Sequence, residues 1–287
     1  MTAKIIDGRR LAASMRVALG ERVQRLHEAG VHPSLAVILI GDDPASKVYV
    51  RNKIKACEAV GIRSITHALT DATSEQELIN LILALNADAQ VHGILVQLPI
   101  PRHIDMAKVL ETIAVEKDVD GFHLYNIGGL VTGNTVFSPC TPYGVVKLLE
   151  SEAIPIEGQN VVIVGASNIV GKPMALMLMA ADATVSICHA KTRDLAQYTI
   201  LADILVVAAG VPNLILPQMV KRGAVVIDVG INRLPDGSIT GDVDFAGVSA
   251  KASAITPVPG GVGPMTVTML LENTISSAER SARQSLT

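Results

Sequence analysis

The chain has 287 residues, and its 24 Lys and Arg against 27 Asp and Glu leave a formal net charge of −3. Hydrophobic residues make up 49% of it and charged residues only 18%, so the chain can bury ample apolar surface and is not a disordered protein. Its length favours two domains, and its near-neutral charge, without long blocks of one sign, argues against nucleic acid as a partner.

The apolar segments are too short to cross a membrane. Residues 200–211 and 173–181 are the longest, and both fall below the roughly 18 to 20 residues that a spanning helix needs. Asp7, Arg9 and Arg10 stand where a signal peptide would have its apolar core, so we expect no export signal. The odd number and wide spacing of the cysteines fit a cytoplasmic protein better than a disulfide framework; they are Cys57, Cys140 and Cys188.

Predicted strands and helices alternate along the chain. Short aliphatic runs predict strands, and because most are uninterrupted they are typical of parallel strands covered on both faces; they span residues 35–40, 91–97, 161–164, 183–188, 204–208 and 225–229. Helical patterns cover residues 9–29, 47–60, 74–86, 143–150, 174–180 and 265–283. This order predicts the α/β class.

Polar residues in the first half form a candidate substrate site. Tyr49 and Lys53 are four residues apart and share one face of the predicted helix, opposite its packed face. A partly desolvated lysine can act as a base near neutral pH, although most lysines on helices are merely solvated. Gln97 and Asp120 lie where strands of this class end, which is where open α/β sheets place ligands. Both are equally well explained as turn residues.

A turn in the second half is typical of dinucleotide-binding proteins. The strand at residues 161–164 runs directly into a Gly-x-Ser-x-x-x-Gly turn. Gly165 permits the tight turn, Ser167 replaces the usual second glycine, and Gly171 lets the next helix lie close to the strand. The start of that helix offers free N–H groups to a pyrophosphate. The alternative is a tight turn without a ligand.

The end of the following strand favours NADP as the cofactor. Folds of this type that bind NAD carry an acidic residue about 20 positions after the glycine turn. Residues 188–193 contain no Asp or Glu, but they include Lys191 and Arg193. These cations suit the 2′-phosphate of NADP, unless they are ordinary solvated loop residues. Ile231 follows another predicted strand and is expected to line the nicotinamide side.

A loop rich in proline and glycine precedes the last helix. It covers residues 255–264 and includes Pro259, Gly260 and Gly261. Such a loop is either a plain turn or a backbone that must approach a ligand closely.

Seven colinear blocks over almost the full length resemble the bifunctional methylenetetrahydrofolate dehydrogenase/methenyltetrahydrofolate cyclohydrolase family. In chain order they are YVRNKIKA (49–56), QLPIP (97–101), KDVDGF (117–122), PCTP (139–142), GASNIVGKP (165–173), DVGIN (228–232) and PVPGGVGPMT (257–266). The resemblance implies two α/β domains with an active-site cleft between them. Residues 1–140 and 265–287 would form a folate-binding catalytic domain, and residues 141–264 a Rossmann-type NADP-binding domain.

The resemblance also implies roles for particular residues. Lys53 would be the essential amine, Tyr49 would orient it, Gln97 would hydrogen-bond to it and tune it, and Asp120 would anchor the pterin ring. Further implied folate contacts are Leu98, Pro99, Pro259, Gly260 and Gly261. The implied cofactor positions are Gly165, Ala166, Ser167 and Ile231.

The implied chemistry has two steps. The methylene carbon between N5 and N10 loses a hydride to NADP, which needs alignment more than a base. Hydrolysis of the resulting methenyl cation to 10-formyltetrahydrofolate requires proton transfer, for which Lys53 is the candidate. The family also implies a homodimer that acts on reduced folates, in the one-carbon metabolism that supports purine biosynthesis.

The sequence departs from the family pattern at one cofactor position. Many members have Arg where this chain has Ala166, so NADP over NAD depends here on Lys191, Arg193 and the missing acid. Two alternatives stay open: a dehydrogenase without the hydrolytic step, which the intact Lys53 and Gln97 disfavour, and a dinucleotide-sensing regulator without turnover. The histidines show no ligand spacing, so we expect no metal.

Overall fold

The computed structural model describes residues 2–284, which form two compact units. The three-strand unit comprises Ser14–Cys140 and the chain from residue 267 onward. The six-strand unit comprises the chain up to residue 13 and Thr141–Thr266. Each unit is named after the main sheet that it contains.

Strands and helices alternate along most of the described residues. The strands are β1 (Lys4–Ile5), β2 (Ser34–Ile40), β3 (Arg63–Leu69), β4 (Gly93–Val96), β5 (Asn160–Val164), β6 (Thr184–Cys188), β7 (Ile204–Val207), β8 (Val225–Asp228), β9 (Asn232–Arg233), β10 (Ile239–Thr240) and β11 (Ala254–Ile255). The α-helices are α1 (Gly8–Glu28), α2 (Pro44–Val60), α3 (Glu75–Ala87), α4 (Met106–Thr112), α5 (Leu124–Thr132), α6 (Cys140–Ser151), α7 (Gly171–Ala180), α8 (Leu195–Thr199), α9 (Phe245–Ser249) and α10 (Val262–Gln284).

The main sheet of the six-strand unit has the order β1-β11-β8-β7-β5-β6, and every neighbouring pair is parallel. The strand order reverses beside β5, because β6 lies on one side of it and β7 on the other. Open α/β sheets bind ligands at such a reversal, beyond the carboxyl ends of the strands. Buried side chains from these strands form one core, among them Val162, Leu205 and Val226.

The three-strand unit has a parallel sheet in the order β3-β2-β4. All seven residues of β2 are buried, which its central place requires. Helix α3 packs on one face, where Leu78 and Ile82 contribute to a core with Ile38 and Ile94. The predicted capping box at the start of α3 is present, with Ser74 as the N-cap residue.

The structure confirms the predicted α/β class and each strand predicted from an uninterrupted aliphatic run. It adds β3, which the sequence analysis missed because exposed and partly buried residues alternate along this edge strand. It also differs from the expected division in its first residues. Lys4 and Ile5 pair with β11 and therefore lie in the six-strand unit rather than with the first half of the chain. A strand of two residues has no pattern by which a sequence could reveal it.

Among the helices of the described residues, none combines the length and hydropathy that crossing a bilayer demands.

Candidate active site

Helix α2 places Lys53 inside the three-strand unit. The helix begins with Pro44 after the N-cap Asp43, whose side chain accepts a hydrogen bond from Ser46 N at 2.7 Å. Lys53 is buried, with 9% of its surface exposed, whereas Tyr49 one turn earlier is 39% exposed. The sequence had placed both residues opposite the packed face of the helix. The structure instead shows that Lys53 is itself buried.

The lysine meets Gln97, which follows β4. Lys53 Nζ donates to Gln97 Oε1 at 3.2 Å, and Gln97 Nε2 donates to the carbonyl of Leu98 at 2.7 Å. The second bond fixes which end of the amide faces the lysine. The Leu98–Pro99 peptide is cis. A helix residue and a residue at the carboxyl end of a strand are thus brought together, as the sequence predicted for the polar groups of this half.

Asp120 supplies a carboxyl group whose pKa is sensitive to Lys53. Desolvation raises the pKa of Asp120 above its ordinary value, and the charge of Lys53 and the Cys140 thiol oppose that rise. The residue is partly buried. Lys53, Gln97 and Asp120 therefore combine an ammonium, an amide and a carboxyl group in one unit.

A second aspartate organises the segment that carries Asp120. Asp118 is 1% exposed and accepts hydrogen bonds from the backbone N–H groups of Phe122 and His123 and from Asn126 Nδ2. Desolvation raises its pKa to about 6, and these hydrogen bonds oppose the rise. This function of Asp118 could not be predicted, because nothing in the sequence shows that the three donors turn back onto one carboxylate.

The glycine turn of the six-strand unit is closely packed. Gly165 has φ +125°, and a Cβ added there would lie 2.2 Å from the carbonyl oxygen of Ala208 at the end of β7. A Cβ on Gly171 would lie 1.9 Å from the carbonyl oxygen of Gly165. Both glycines are therefore required by the backbone, as the fingerprint predicted.

Ser167 closes this turn from within. Its Oγ accepts a hydrogen bond from the N–H of Val170 at 3.1 Å, and its carbonyl accepts one from Lys172 N at 3.0 Å. Helix α7 then begins at Gly171 with no side-chain cap at its N-terminus. Ala166 lies in the same turn and is partly buried. The N–H groups of this first helical turn have partners within the turn, since Gly171 N lies 3.5 Å from Ser167 Oγ and Met174 N donates to the Val170 carbonyl at 2.9 Å, and Pro173 has no N–H. The free donors that the sequence predicted are therefore not present, and only the partial positive charge of the helix N-terminus favours an anion.

The other predicted cofactor residues are exposed. Lys191 and Arg193 are exposed in the turn after β6, where the N–H of His189 donates to Thr192 Oγ1 at 2.9 Å. Ile231 is 45% exposed. The N–H of its neighbour Gly230 donates to Asp228 Oδ1 at 3.0 Å.

The loop between β11 and α10, residues 256–261, packs against the start of the chain within the six-strand unit; it is shorter than expected because α10 already begins at Val262. The carbonyl of Gly260 accepts a hydrogen bond from Arg9 N at 3.0 Å. A Cβ on Gly8 would lie 1.8 Å from the carbonyl oxygen of Gly261. Pro259 is exposed and follows a cis peptide bond. Gly8 therefore lies directly against this loop, which the sequence did not indicate.

The described residues contain no group of three or more His, Cys, Asp or Glu side chains that could hold a metal ion.

Comparison with known proteins identifies the family of the chain. The model of the tetrahydrofolate dehydrogenase/cyclohydrolase catalytic domain matches residues 6–120, and that of the corresponding NAD(P)-binding domain matches residues 139–282. The bifunctional protein FolD of Nitrosospira multiformis is 61% identical over 98% of this chain and 97% of its own length. That of Bordetella bronchiseptica is 58% identical over 98% of this chain and its full length.

Solved structures indicate the same family as these relatives. The bifunctional enzyme FolD, a methylenetetrahydrofolate dehydrogenase/cyclohydrolase from Campylobacter jejuni, superimposes with a TM-score of 0.96 at 55% identity, covering 97% of this chain and 99% of its own. The Trypanosoma brucei FolD, solved with NADP cofactor and inhibitor, superimposes with a TM-score of 0.95 at 39% identity, covering 99% of both chains. The chain therefore belongs to the tetrahydrofolate dehydrogenase/cyclohydrolase family.

Proposed function

We propose that Lys53, Gln97 and Asp120 act on a reduced folate, and that the glycine turn of the six-strand unit holds NADP. The chain is a bifunctional enzyme. It oxidises 5,10-methylenetetrahydrofolate to the methenyl form with NADP, and it hydrolyses that form to 10-formyltetrahydrofolate. The hydrogen bond from Lys53 Nζ to Gln97 Oε1 at 3.2 Å carries this assignment of residues, because it holds an ammonium group in a fixed place.

The residues of the six-strand unit fit a dinucleotide. The two glycines leave no room for a Cβ, so backbone rather than side chains forms the turn. The N-terminus of α7, which begins at Gly171, offers its partial positive charge to the pyrophosphate. Lys191 and Arg193 supply positive charge for the 2′-phosphate, and Ile231 offers an apolar surface to the nicotinamide. When bound, NADP supplies the acceptor for the hydride that leaves the methylene carbon.

Lys53 moves the proton in the hydrolytic step. Water adds to the methenyl carbon and loses a proton to give a neutral carbinolamine. A ring C–N bond then breaks as the hydroxyl group loses its proton to become the formyl oxygen and the departing nitrogen gains one. Gln97 holds the amine at a defined position, and Tyr49 stands one turn away to orient it. Asp120 accepts hydrogen bonds from the pterin nitrogens. The charge of Lys53 opposes the rise in the pKa of Asp120 that desolvation causes.

Replacing Lys53 by methionine tests this assignment. Lys53→Met keeps an unbranched side chain but removes the amine, so we expect cyclohydrolase activity to fall by about 10²- to 10⁴-fold. NADP affinity and the circular dichroism spectrum should not change. The matched control is Lys55→Met, two residues further along the same helix at an exposed position.

Both activities can be followed by the absorbance of methenyltetrahydrofolate. Its formation reports the dehydrogenase and its loss the cyclohydrolase, so the same assay distinguishes a bifunctional enzyme from a dehydrogenase alone and from a regulator without turnover. Hydrolysis at the wild-type rate in Lys53→Met would contradict the role of Lys53. A loss in Lys55→Met of the same size would mean that the helix, not the amine, is responsible.

We further propose that the protein is a cytoplasmic homodimer whose product serves purine biosynthesis. The edge strand β6 supports self-association, because it has a neighbour on one side only and exposes Ile187. The cysteines support a reducing compartment, because all three are free and buried. Sedimentation equilibrium tests the dimer, and an Ile187→Lys variant should shift it toward the monomer.

A further inference from the structure

Two buried aspartates of the six-strand unit have no role in the proposed function. Asp228 ends β8 and Asp242 follows β10, and their exposed fractions are 4% and 0%. Desolvation raises the pKa of Asp228 to about 6; backbone hydrogen bonds oppose the rise, and the charge of Asp242 adds to it. The two carboxyl groups are therefore close together. Burial of a carboxylate is costly unless hydrogen bonds compensate it, so the partners of these groups are informative.

The carboxylate of Asp242 joins the loop after β7 to the chain after β8. Its Oδ2 accepts hydrogen bonds from the backbone N–H groups of Ala209 and Gly210, shortly after β7, at 2.7 and 2.9 Å. Its Oδ1 accepts one from Asn232 Nδ2 at 2.8 Å. Hydrogen bonds to a carboxylate are shorter and stronger than those between neutral groups. One side chain therefore fixes the two segments relative to each other.

Both segments adjoin residues of the proposed cofactor site. Ala208, which directly precedes the loop held by Asp242, packs against the glycine turn: a Cβ added to Gly165 would lie 2.2 Å from its carbonyl oxygen. On the other side, Ile231 directly precedes Asn232. Asp242 thus links the glycine turn to Ile231 through the backbone.

Asp228 holds the segment around Ile231 from its other end. Its Oδ1 accepts hydrogen bonds from the N–H groups of Gly230 and Asp242, both at 3.0 Å, and its Oδ2 accepts one from the N–H of Val243 at 3.0 Å. The residues on both sides of Ile231 are therefore bound to buried carboxylates, while Ile231 itself is 45% exposed. An exposed apolar side chain on so constrained a backbone suits a ligand that meets it in one orientation.

Two glycines make room for these carboxyl groups. A Cβ added to Gly230 would lie 2.2 Å from Asp242 Cγ, and one added to Gly241 would lie 1.9 Å from Asp228 Oδ2. The backbone therefore passes directly over each carboxyl group. Asp228, Gly230 and Asn232 of the block DVGIN (228–232) all belong to this arrangement.

We propose that Asp242 and Asp228 are positioning residues for the cofactor, which set Ile231 and the glycine turn in their binding arrangement before NADP binds. The two carboxylates act through the backbone that they hold. A site arranged in advance loses less conformational freedom on binding. This inference rests on the proposed cofactor site. Unlike the charges of Lys191 and Arg193, a backbone arrangement serves NADP and NAD alike.

An exchange of the side chains at positions 232 and 242 tests the proposal. Asn232→Asp places a second carboxylate where an amide donated to Asp242, so like charges face each other. We expect the Kd for NADP, measured by calorimetric titration of the full chain, to rise at least ~10-fold, and the Kd for NAD by the same factor. Adding Asp242→Asn restores the hydrogen bond with donor and acceptor exchanged. Both Kd values should then return to within about three-fold of wild type.

Asp203→Asn is the matched control in the same unit. Asp203 also accepts a backbone hydrogen bond, from Asn160 N at 2.9 Å, and one from Lys221 Nζ at 2.6 Å. It lies at the amino ends of β5 and β7, so its loss should lower the free energy of unfolding and leave both Kd values within two-fold. A second readout is the hydrolysis of methenyltetrahydrofolate without dinucleotide, which should stay within two-fold of wild type in Asn232→Asp.

The outcomes separate positioning from other effects. Weaker binding of both cofactors in Asn232→Asp that the double variant recovers supports the inference. Unchanged Kd values, or a loss that the double variant does not recover, overturn it. Weaker binding of NADP alone also overturns it, because the new charge would then act on the 2′-phosphate. An equal loss of hydrolysis overturns it as a general effect on the fold. A wild type that binds NADP without reducing it contradicts the proposed function alone, because the Kd values still test this inference.

Discussion

The two groups of predicted functional residues differ in what they present to a ligand. In the three-strand unit, the proposed site consists of three side chains, of which Lys53 and Gln97 are joined by a 3.2 Å hydrogen bond. In the six-strand unit the backbone forms it, because Gly165 and Gly171 have no space for a Cβ. Proton transfer needs a titratable side chain, whereas a pyrophosphate can be held by backbone groups at a helix N-terminus, which do not depend on a particular side chain.

This difference predicts two kinds of sensitivity. In the three-strand unit, a substitution that keeps the side-chain volume but removes a functional group should abolish chemistry and leave the fold intact. In the six-strand unit, the addition of a single methyl group to the turn should disturb both the fold and cofactor binding.

The largest effect is expected at Gly165. In Gly165→Ala the new Cβ would lie 2.2 Å from the Ala208 carbonyl oxygen, at φ +125°, so the turn must move. We expect the free energy of unfolding to fall by about 3 kcal/mol and NADP affinity to fall at least ~100-fold. Urea unfolding followed by circular dichroism measures the first, since the chain has no Trp, and calorimetric titration measures the second.

The control for this variant is Gly158→Ala in the same unit. Gly158 has φ +72° and no atom within 4 Å of an added Cβ, so only the left-handed backbone is penalised, at about 1 kcal/mol. NADP affinity should not change. If Gly165→Ala proved no more destabilising than Gly158→Ala, the turn would be able to relax, and the contrast between the two units would be lost.

The next largest effect is expected on the pH dependence of stability, through the buried carboxyl group of Asp118. The pKa of Asp118 rises from 3.8 to about 6 because the group is desolvated. Between these values the native state holds a proton that the unfolded chain has released. Stability from this group is therefore fully present below pH 4 and decreases as the pH rises through 6, by up to about 3 kcal/mol.

Asp118→Asn removes this titration. Its destabilisation relative to wild type should be larger at pH 4.5 than at pH 8, measured by urea unfolding at each pH. Asp236→Asn is the control with the opposite sign, because hydrogen bonds from Ser238 lower the pKa of this exposed group. Any stability from Asp236 is present above its ordinary pKa and is lost in acid. A pH-independent effect of Asp118→Asn would show that its carboxyl group does not titrate in this range.

The sequence predicted those strands that their own residues mark as an apolar run. Strand β2 is buried on both faces, so its seven consecutive residues are all buried and the apolar run is visible in the sequence. The edge strand β3 has exposed positions at Arg63, Thr66 and Ala68, and its mixed pattern resembles a loop. Strand β1 exists only because Lys4 and Ile5 meet β11, which lies some 250 residues away along the chain.

The same reasoning applies to the candidate site. The rule that ligands bind at strand ends pointed to Gln97 and Asp120, and helical spacing pointed to Lys53. The burial of Lys53 could not be predicted, because it depends on Gln97 from another element. The part played by Asp118 also depends on contacts across the fold, including a 2.7 Å hydrogen bond from Asn126. The spacing of residues shows where functional groups lie along one helix or strand. Their burial and hydrogen bonds depend on several helices and strands.

The smallest effect is expected for the residues that we propose to select NADP. Lys191 and Arg193 are exposed, and solvent and salt weaken exposed charge contacts. We expect each single alanine variant to raise the KM for NADP about three-fold, and the double variant about 10-fold, with the KM for NAD unchanged because NAD lacks the 2′-phosphate. Raising the ionic strength should reduce the difference in KM for NADP between wild type and variants.

Arg222→Ala is the control, since Arg222 is also an exposed cation of this unit. An equal rise in KM for both cofactors would show that these cations support the turn and do not bind the 2′-phosphate. Because Ala166 stands in place of arginine, any preference for NADP over NAD would then have to come from the backbone alone.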